Sequence, residues 1–177
     1  MELDRRLVRS LDAVTPIQWH GEVLRHHAPR YAALDGQGAR INGGRWNPSE
    51  SFAVVYTALD RPTIDAEFER LARRTGLPAG SFLPRRLARI GADLTRVLDL
   101  TDARTRRRLG VTLRELTADD WARTQAIGQA AQFLGYEAIL APGADGGTTL
   151  AIFVGSLGSG SKINVLSEEA YADQASV

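Results

Sequence analysis

The sequence predicts an α+β domain with a mixed or antiparallel β-sheet core flanked by helices. Apolar β-type runs crowd both ends of the chain: Ile17–His27 near the start, then EAILAP, TTLAIFVG and SKINVLS toward the finish. The stretches with helical spacing lie mostly between them. No internal repeat, low-complexity tract or composition break divides the 177 residues, so a single domain with a sizeable core is expected.

The elements follow in order. Leu3, Leu7, Val8 and Leu11 are spaced for an amphipathic helix over Glu2–Val14, which Thr15–Pro16 closes. Ile17–His27 reads as a strand ended before Pro29. Arg30–Asn42, with Gly36 and Gly38, reads as an irregular loop covering a site. A second strand spans Phe52–Tyr56. A helix over Thr63–Arg74 follows, with Thr63 as N-cap and Ile64, Phe68 and Leu71 on one face. Gly76 and Pro78 end it. Leu87–Leu100 contains two β-like pieces, LARIGADL and RVLDL, and Thr101–Leu109 a short arginine-rich helix. Asp119–Leu134 is a helix with acids at its dipole-positive end and Gly135 just beyond it. The last three strands are joined by a glycine turn at Gly143–Gly147, and a polar tail finishes the chain.

Composition excludes more than it assigns. Hydrophobic residues make up 44% and charged residues 24%, ordinary for a globular protein, and no apolar run reaches the roughly 18 residues of a membrane span. The first residues lack the apolar stretch of a signal peptide. The chain has no cysteine, so disulfides and thiolate metal sites are excluded and a cytoplasmic setting is expected. A formal net charge of +1 creates no field that draws in nucleic acid or membrane. Lys162 is the sole lysine; all other basic residues are arginine, a bias that a GC-rich genome writes by itself.

Candidate chemistry concentrates in Gly43–Glu69. Two glycines let the backbone turn tightly before Arg45, whose planar fork suits a phosphate or, equally, a structural ion pair. Tyr56 ends an apolar strand as core or as a stacking platform. Glu67 stands at the border of an apolar helix face, where an acid is costly unless paired. A lone carboxylate there could stabilise a positively charged sugar-like transition state. His26 and His27 are adjacent on a strand and point to opposite faces, so a shared metal is not expected. The turn Gly143–Gly147 lacks the Gly-Lys-Ser/Thr end of a P-loop. Arg104–Arg108 reads as a solvated face.

Together these residues resemble a known family. Arg25, the GGRWNP of Gly43–Pro48, Tyr56 eleven residues after Arg45, Glu67 eleven after Tyr56 and the run DDWARTQAIGQAAQFLGYEAILAP resemble the RES-domain toxins of RES–Xre toxin–antitoxin modules. The resemblance covers about Trp19–Phe153. It implies an ADP-ribosyltransferase-like fold, cleavage of NAD+ at the nicotinamide–ribose bond and neutralisation by an Xre-type antitoxin protein. The activity expected is NAD+ phosphorolysis, with hydrolysis, transfer of ADP-ribose to a protein and an inactive binding module as alternatives. The same resemblance makes Glu67, Arg45 and Tyr56 catalytic, with Arg45 and Arg25 on the pyrophosphate or an incoming phosphate and Tyr56 on the nicotinamide or ribose. It places Arg25, His26, Gly44, Trp46, Asn47 and Gly143 around the substrate. No cofactor or metal is implied: NAD+ is the substrate and inorganic phosphate the co-substrate. Two departures stand out. Gly143 follows Pro142 where the family usually has serine, and His26 stands where an aromatic is common.

Overall fold

A computed structural model describes residues 3–171. The helices are α1 (Arg5–Asp12), α2 (Gln37–Asn42), α3 (Arg61–Thr75), α4 (Ala103–Leu109), α5 (Leu113–Thr117) and α6 (Ala122–Phe133). The strands are β1 (Ile17–His27), β2 (Val55–Ala58), β3 (Arg85–Asp99), β4 (Ala138–Pro142), β5 (Thr148–Ile152) and β6 (Lys162–Tyr171). Among the described residues no helix is long and apolar enough to cross a membrane.

The sheet order is β1-β2-β5-β4-β3-β6, and an additional β1–β3 pairing closes the first five strands into a barrel. Only β3 and β4 run parallel, so the sheet is mixed, with β6 added antiparallel on the outside of β3. Period-2 alternation splits the strand side chains between two cores. Val23, Val55, Ile90, Leu94, Val97, Leu140, Leu150 and Ile152 come from all five barrel strands and fill the barrel. The intervening Leu98, Ile139, Ala141 and Ala151 face outward and pack with residues of α1, α4, α5 and α6. On the remaining side α3 lays Ile64 and Phe68 against Leu87 and Tyr171.

Several boundaries differ from the sequence expectation, each for a local reason. Helix α1 begins after Asp4, whose carboxylate accepts from the Arg6 and Leu7 amides, and Glu2 lies outside the described residues. The N-cap of α3 is Asp60, not Thr63: the Thr63 amide donates to Asp60 Oδ1 at 2.8 Å, and Pro62 sits inside the first turn, where its missing N–H costs nothing. The two pieces of Leu87–Leu100 are one 15-residue strand, held on both flanks by β1 and β6. The Arg30–Asn42 loop contains α2, and the Phe52–Tyr56 strand is shifted to Val55–Ala58. Helix α5 was not anticipated, although Thr112 and Glu115 form a full capping box before it. Strand β6 runs through Glu168 and Glu169 to Tyr171 because its exposed faces accept polar side chains; only Ala172–Val177 of the expected tail lies outside the description.

Candidate active site

A cleft of about 500 Å³ opens between α3, the Gly43–Pro48 loop and the segment leading into α6. Residues of β1 and β2 form part of its wall. Arg25, His26, Gly44, Arg45, Trp46, Tyr56, Glu67 and Gly143 all line it. Residues spread over more than a hundred positions of sequence therefore meet in one place. Asn47 is fully buried just behind the lining. A second hollow of about 570 Å³ lies between α1 and the end of α6, lined by Leu3, Arg5, Val8, Arg9 and Phe133, with no acid or nucleophile.

The Gly43–Pro48 loop is built as a rigid wall. Tyr56 Oη accepts the Trp46 amide at 2.9 Å and donates to Asn47 Oδ1 at 2.8 Å. Asn47 Nδ2 in turn donates to the Ala39 carbonyl at 2.7 Å, tying the loop to α2. Gln125 Nε2 donates to the Gly44 and Asn47 carbonyls at 3.0 and 3.3 Å, tying it to α6. Trp46 is only 1% exposed and joins the outer core, so its ring anchors the loop. Glycine is needed twice for contact. A Cβ on Gly44 would strike the Tyr56 hydroxyl, and one on Gly128 of α6 would overlap the Trp46 carbonyl. Burial pushes the Tyr56 phenol above its ordinary range, so it stays protonated; its hydroxyl serves the loop, and the ring is what it offers the cleft.

The arginines nominated from sequence are partly committed. Arg25 donates from its two terminal nitrogens to the Ala33 and Asp35 carbonyls at 2.6 and 2.7 Å, pinning the loop after β1. Arg45 donates from one terminal nitrogen to the Leu116 and Ala118 carbonyls at 2.7 and 2.8 Å. Arg25 is lowered to about 10 by burial, which is opposed by Asp35, and still stays charged at neutral pH. Arg45 is also lowered, first by burial and then by the nearby Arg70 cation, with Glu67 acting in the opposite sense.

His26 and His27 diverge. His27 is buried with Nε2 at 3.0 Å from Glu168 Oε1. His26 faces the cleft, and Arg85 Nε donates to its Nδ1 at 2.7 Å. The neutral imidazole therefore carries its proton on Nε2. Burial, then the Arg85 and Arg25 cations, lower His26 to about 3, so it is neutral in the physiological range. Phe68 and Tyr171 pack on its ring at 5.3 and 5.7 Å.

The sequence reading missed half of the cleft's charge. Arg70, Arg74, Arg85 and Trp121 also line it. Arg74 lies over the Trp121 ring at 3.7 Å. Arg70 donates to Asp119 Oδ1 at 2.6 Å. The available signal was the spacing of Glu67, Arg70 and Arg74, which places them on one face of α3. Five arginines thus surround Glu67, the one carboxylate lining the cleft, and Glu67 makes no hydrogen bond or ion pair among the described residues. Such a site attracts an anionic substrate and presents one free negative group to a positive charge inside it.

The chain is 37% identical over 146 residues to the NAD(+) phosphorylase MbcT of Mycobacterium tuberculosis strain H37Rv, covering 81% of this chain and 78% of MbcT. It is 49% identical over 75 residues to the probable NAD(+) phosphorylase Rv3189 of the same organism, covering 41% and 35% of the two chains. The fold matches the crystal structure of the M. tuberculosis MbcT–MbcA toxin–antitoxin complex with a TM-score of 0.87 and 32% identity, over 98% of this chain and 96% of that one. The RES domain profile matches residues 21–171, nearly the whole described domain. This chain belongs to the RES domain family.

Proposed function

We propose that the protein is an NAD+ phosphorylase toxin that depletes NAD+ and is held in check by an antitoxin protein of the Xre type. The observation that carries the reading is the single unpaired carboxylate, Glu67, set among five arginines in one cleft. The relatives named as NAD+ phosphorylases and the solved toxin–antitoxin complex support it. NAD+ brings two anionic phosphates and a cationic nicotinamide ribose, matching both signs of the cleft. Tyr56 offers a ring to the nicotinamide or ribose, while Arg25, Arg45 and His26 face the remainder of the substrate. We read Gly44, Asn47 and Gly143 as leaving room for substrate or holding the wall it meets.

In the reaction the C1″–N bond breaks and its electron pair passes to the nicotinamide nitrogen, which becomes neutral. Positive charge builds on the ribose, and Glu67 stabilises it. An oxygen of inorganic phosphate donates a pair to C1″, giving nicotinamide and ADP-ribose 1″-phosphate. The attacking oxygen is already anionic, so no general base is required. No further cofactor enters: both reactants are substrates. NAD+ as substrate also fits a cytoplasmic setting. We further read the barrel with its flanking α3 as an ADP-ribosyltransferase-like fold; superposition on a solved ADP-ribosyltransferase tests this.

Product analysis tests the function. Wild-type protein with NAD+ and phosphate should release nicotinamide and ADP-ribose 1″-phosphate. Glu67→Gln should lower kcat by about 100- to 1000-fold with little change in the KM for NAD+. Phosphate-independent cleavage would indicate a glycohydrolase, and label accumulating on protein a transferase.

A further inference from the structure

We infer that Arg74, laid over Trp121 and backed by Arg70, is the binding site for inorganic phosphate at the mouth of the cleft. The inference rests on the phosphorylase reading and names where its second substrate sits. It follows from counting which hydrogen-bond donors of the cleft are already used.

The inner arginines are occupied. Arg25 and Arg45 donate to backbone carbonyls, and Arg85 donates to the His26 ring and carbonyl. Arg74 differs: among the described residues it has no carbonyl or carboxylate acceptor, and it lies over the Trp121 ring at 3.7 Å. Stacking fixes the plane of the guanidinium and leaves its N–H edge open. Two further donors beside it are unanswered. Trp121 Nε1 and Arg70 Nε are buried from solvent and have no hydrogen-bond partner. The terminal nitrogens of Arg70 are committed to Thr117, Asp119 and Asp145, so the solvent-facing donor edge left without an acceptor here is that of Arg74, and it calls for a ligand made of acceptors. A tetrahedral oxyanion is such a ligand.

Position favours the free ion over the diphosphate of NAD+. Arg74 is exposed, whereas Arg25, Arg45 and Arg85 are half-buried, so Arg74 meets a small ion arriving from solvent. Glu67, Arg70 and Arg74 share a face of α3, and helical side chains slope toward the N-terminus. Arg74 therefore stands on the same helix face as Glu67, beside which the ribose reacts in the proposed phosphorolysis. A phosphate brought next to a carboxylate is repelled, and the Arg74 cation on the same face offsets that repulsion, whereas Arg70 is already paired with Asp119 and Asp145.

Initial rates measured with NAD+ and phosphate varied independently test the site in Arg74→Ala, Arg74→Lys and Trp121→Phe. Arg74→Ala should raise the KM for phosphate about tenfold or more and change the KM for NAD+ by less than about threefold. Lysine should recover part of the loss. Trp121→Phe, which keeps a ring and removes the indole N–H, should raise the phosphate KM by a smaller factor. An unchanged phosphate KM in Arg74→Ala, or a parallel rise in both KM values, would overturn the assignment. Titration calorimetry with inorganic phosphate alone separates the two readings. If the wild type shows no phosphate-dependent NAD+ cleavage, the phosphorylase reading fails. Phosphate binding weakened by Arg74→Ala would still support the site, and binding equal in both proteins would refute it.

Discussion

Arg45 shows how a residue can be legible in sequence while its partners are not. GGRWNP, Tyr56 and Glu67 stand out by their spacing, and Gly43–Trp46, Tyr56 and Glu67 border the cleft, with Asn47 buried behind it. Arg70, Arg74 and Arg85 stay hidden because an arginine on a helix face or at a strand start usually meets only water. Glu137 was equally silent. It is 1% exposed, and its carboxylate accepts from the Thr95, Arg96 and Gly158 amides and from Ser161 Oγ. Burial alone would raise its pKa, but these donors, led by Gly158, hold it below the ordinary value. Glu137→Gln turns an amide donor toward donors and should cost about 3 kcal/mol, read as a lowered denaturation midpoint. His26 gives a second test. Its folded pKa lies near 3, below the unfolded value, so between those two values the unfolded chain binds more protons. Its contribution to stability is present above about pH 6.5 and is lost as pH falls toward 3. Arg85, Arg25 and His27 lie near it and disfavour its protonation. Denaturant melts across that range should show a shallower acid loss in His26→Gln, whose side-chain carbonyl can still accept from Arg85.

At the scale of elements, helices with strong periodicity and caps were readable, and their ends were not. Proline in the first turn of α3 resembles a turn signal until the helix is seen to start on Asp60. The break expected inside β3 fell at Thr95, between LARIGADL and RVLDL, yet β1 pairs on either side of it, at Leu94 and Val97, and carries the strand through. Helix α5 is five residues long, too short for periodicity to reveal; only its capping box marked it. The approach of α6 to the Gly43–Pro48 loop yields a prediction of its own. Gly128→Ala would drive a methyl group into the Trp46 carbonyl, so either the helix or the loop must move. A loss of about 3 kcal/mol in stability is expected from such overpacking, with NAD+ cleavage falling further than stability alone explains. Calorimetric melting and kcat measured on the same preparation check both parts.

For the whole molecule, class and sheet type followed from the sequence, whereas closure of the barrel did not. Closure depends on the β1–β3 pairing, between strands about seventy residues apart, and nothing local encodes that register. The same long reach shapes the cleft. Arg25 arrives on the first strand, Glu67 on α3, Trp121 ahead of α6 and Thr149 on β5. Arg45 is held by carbonyls of residues 116 and 118, which are made long after it. A ribosome adding roughly 5–20 residues per second therefore spends seconds on a chain that holds Arg45, Tyr56 and Glu67 but no assembled cleft. A cleft that exists only once these late segments have docked leaves an interval in which a waiting binding protein can meet the nascent chain before the cleft has formed.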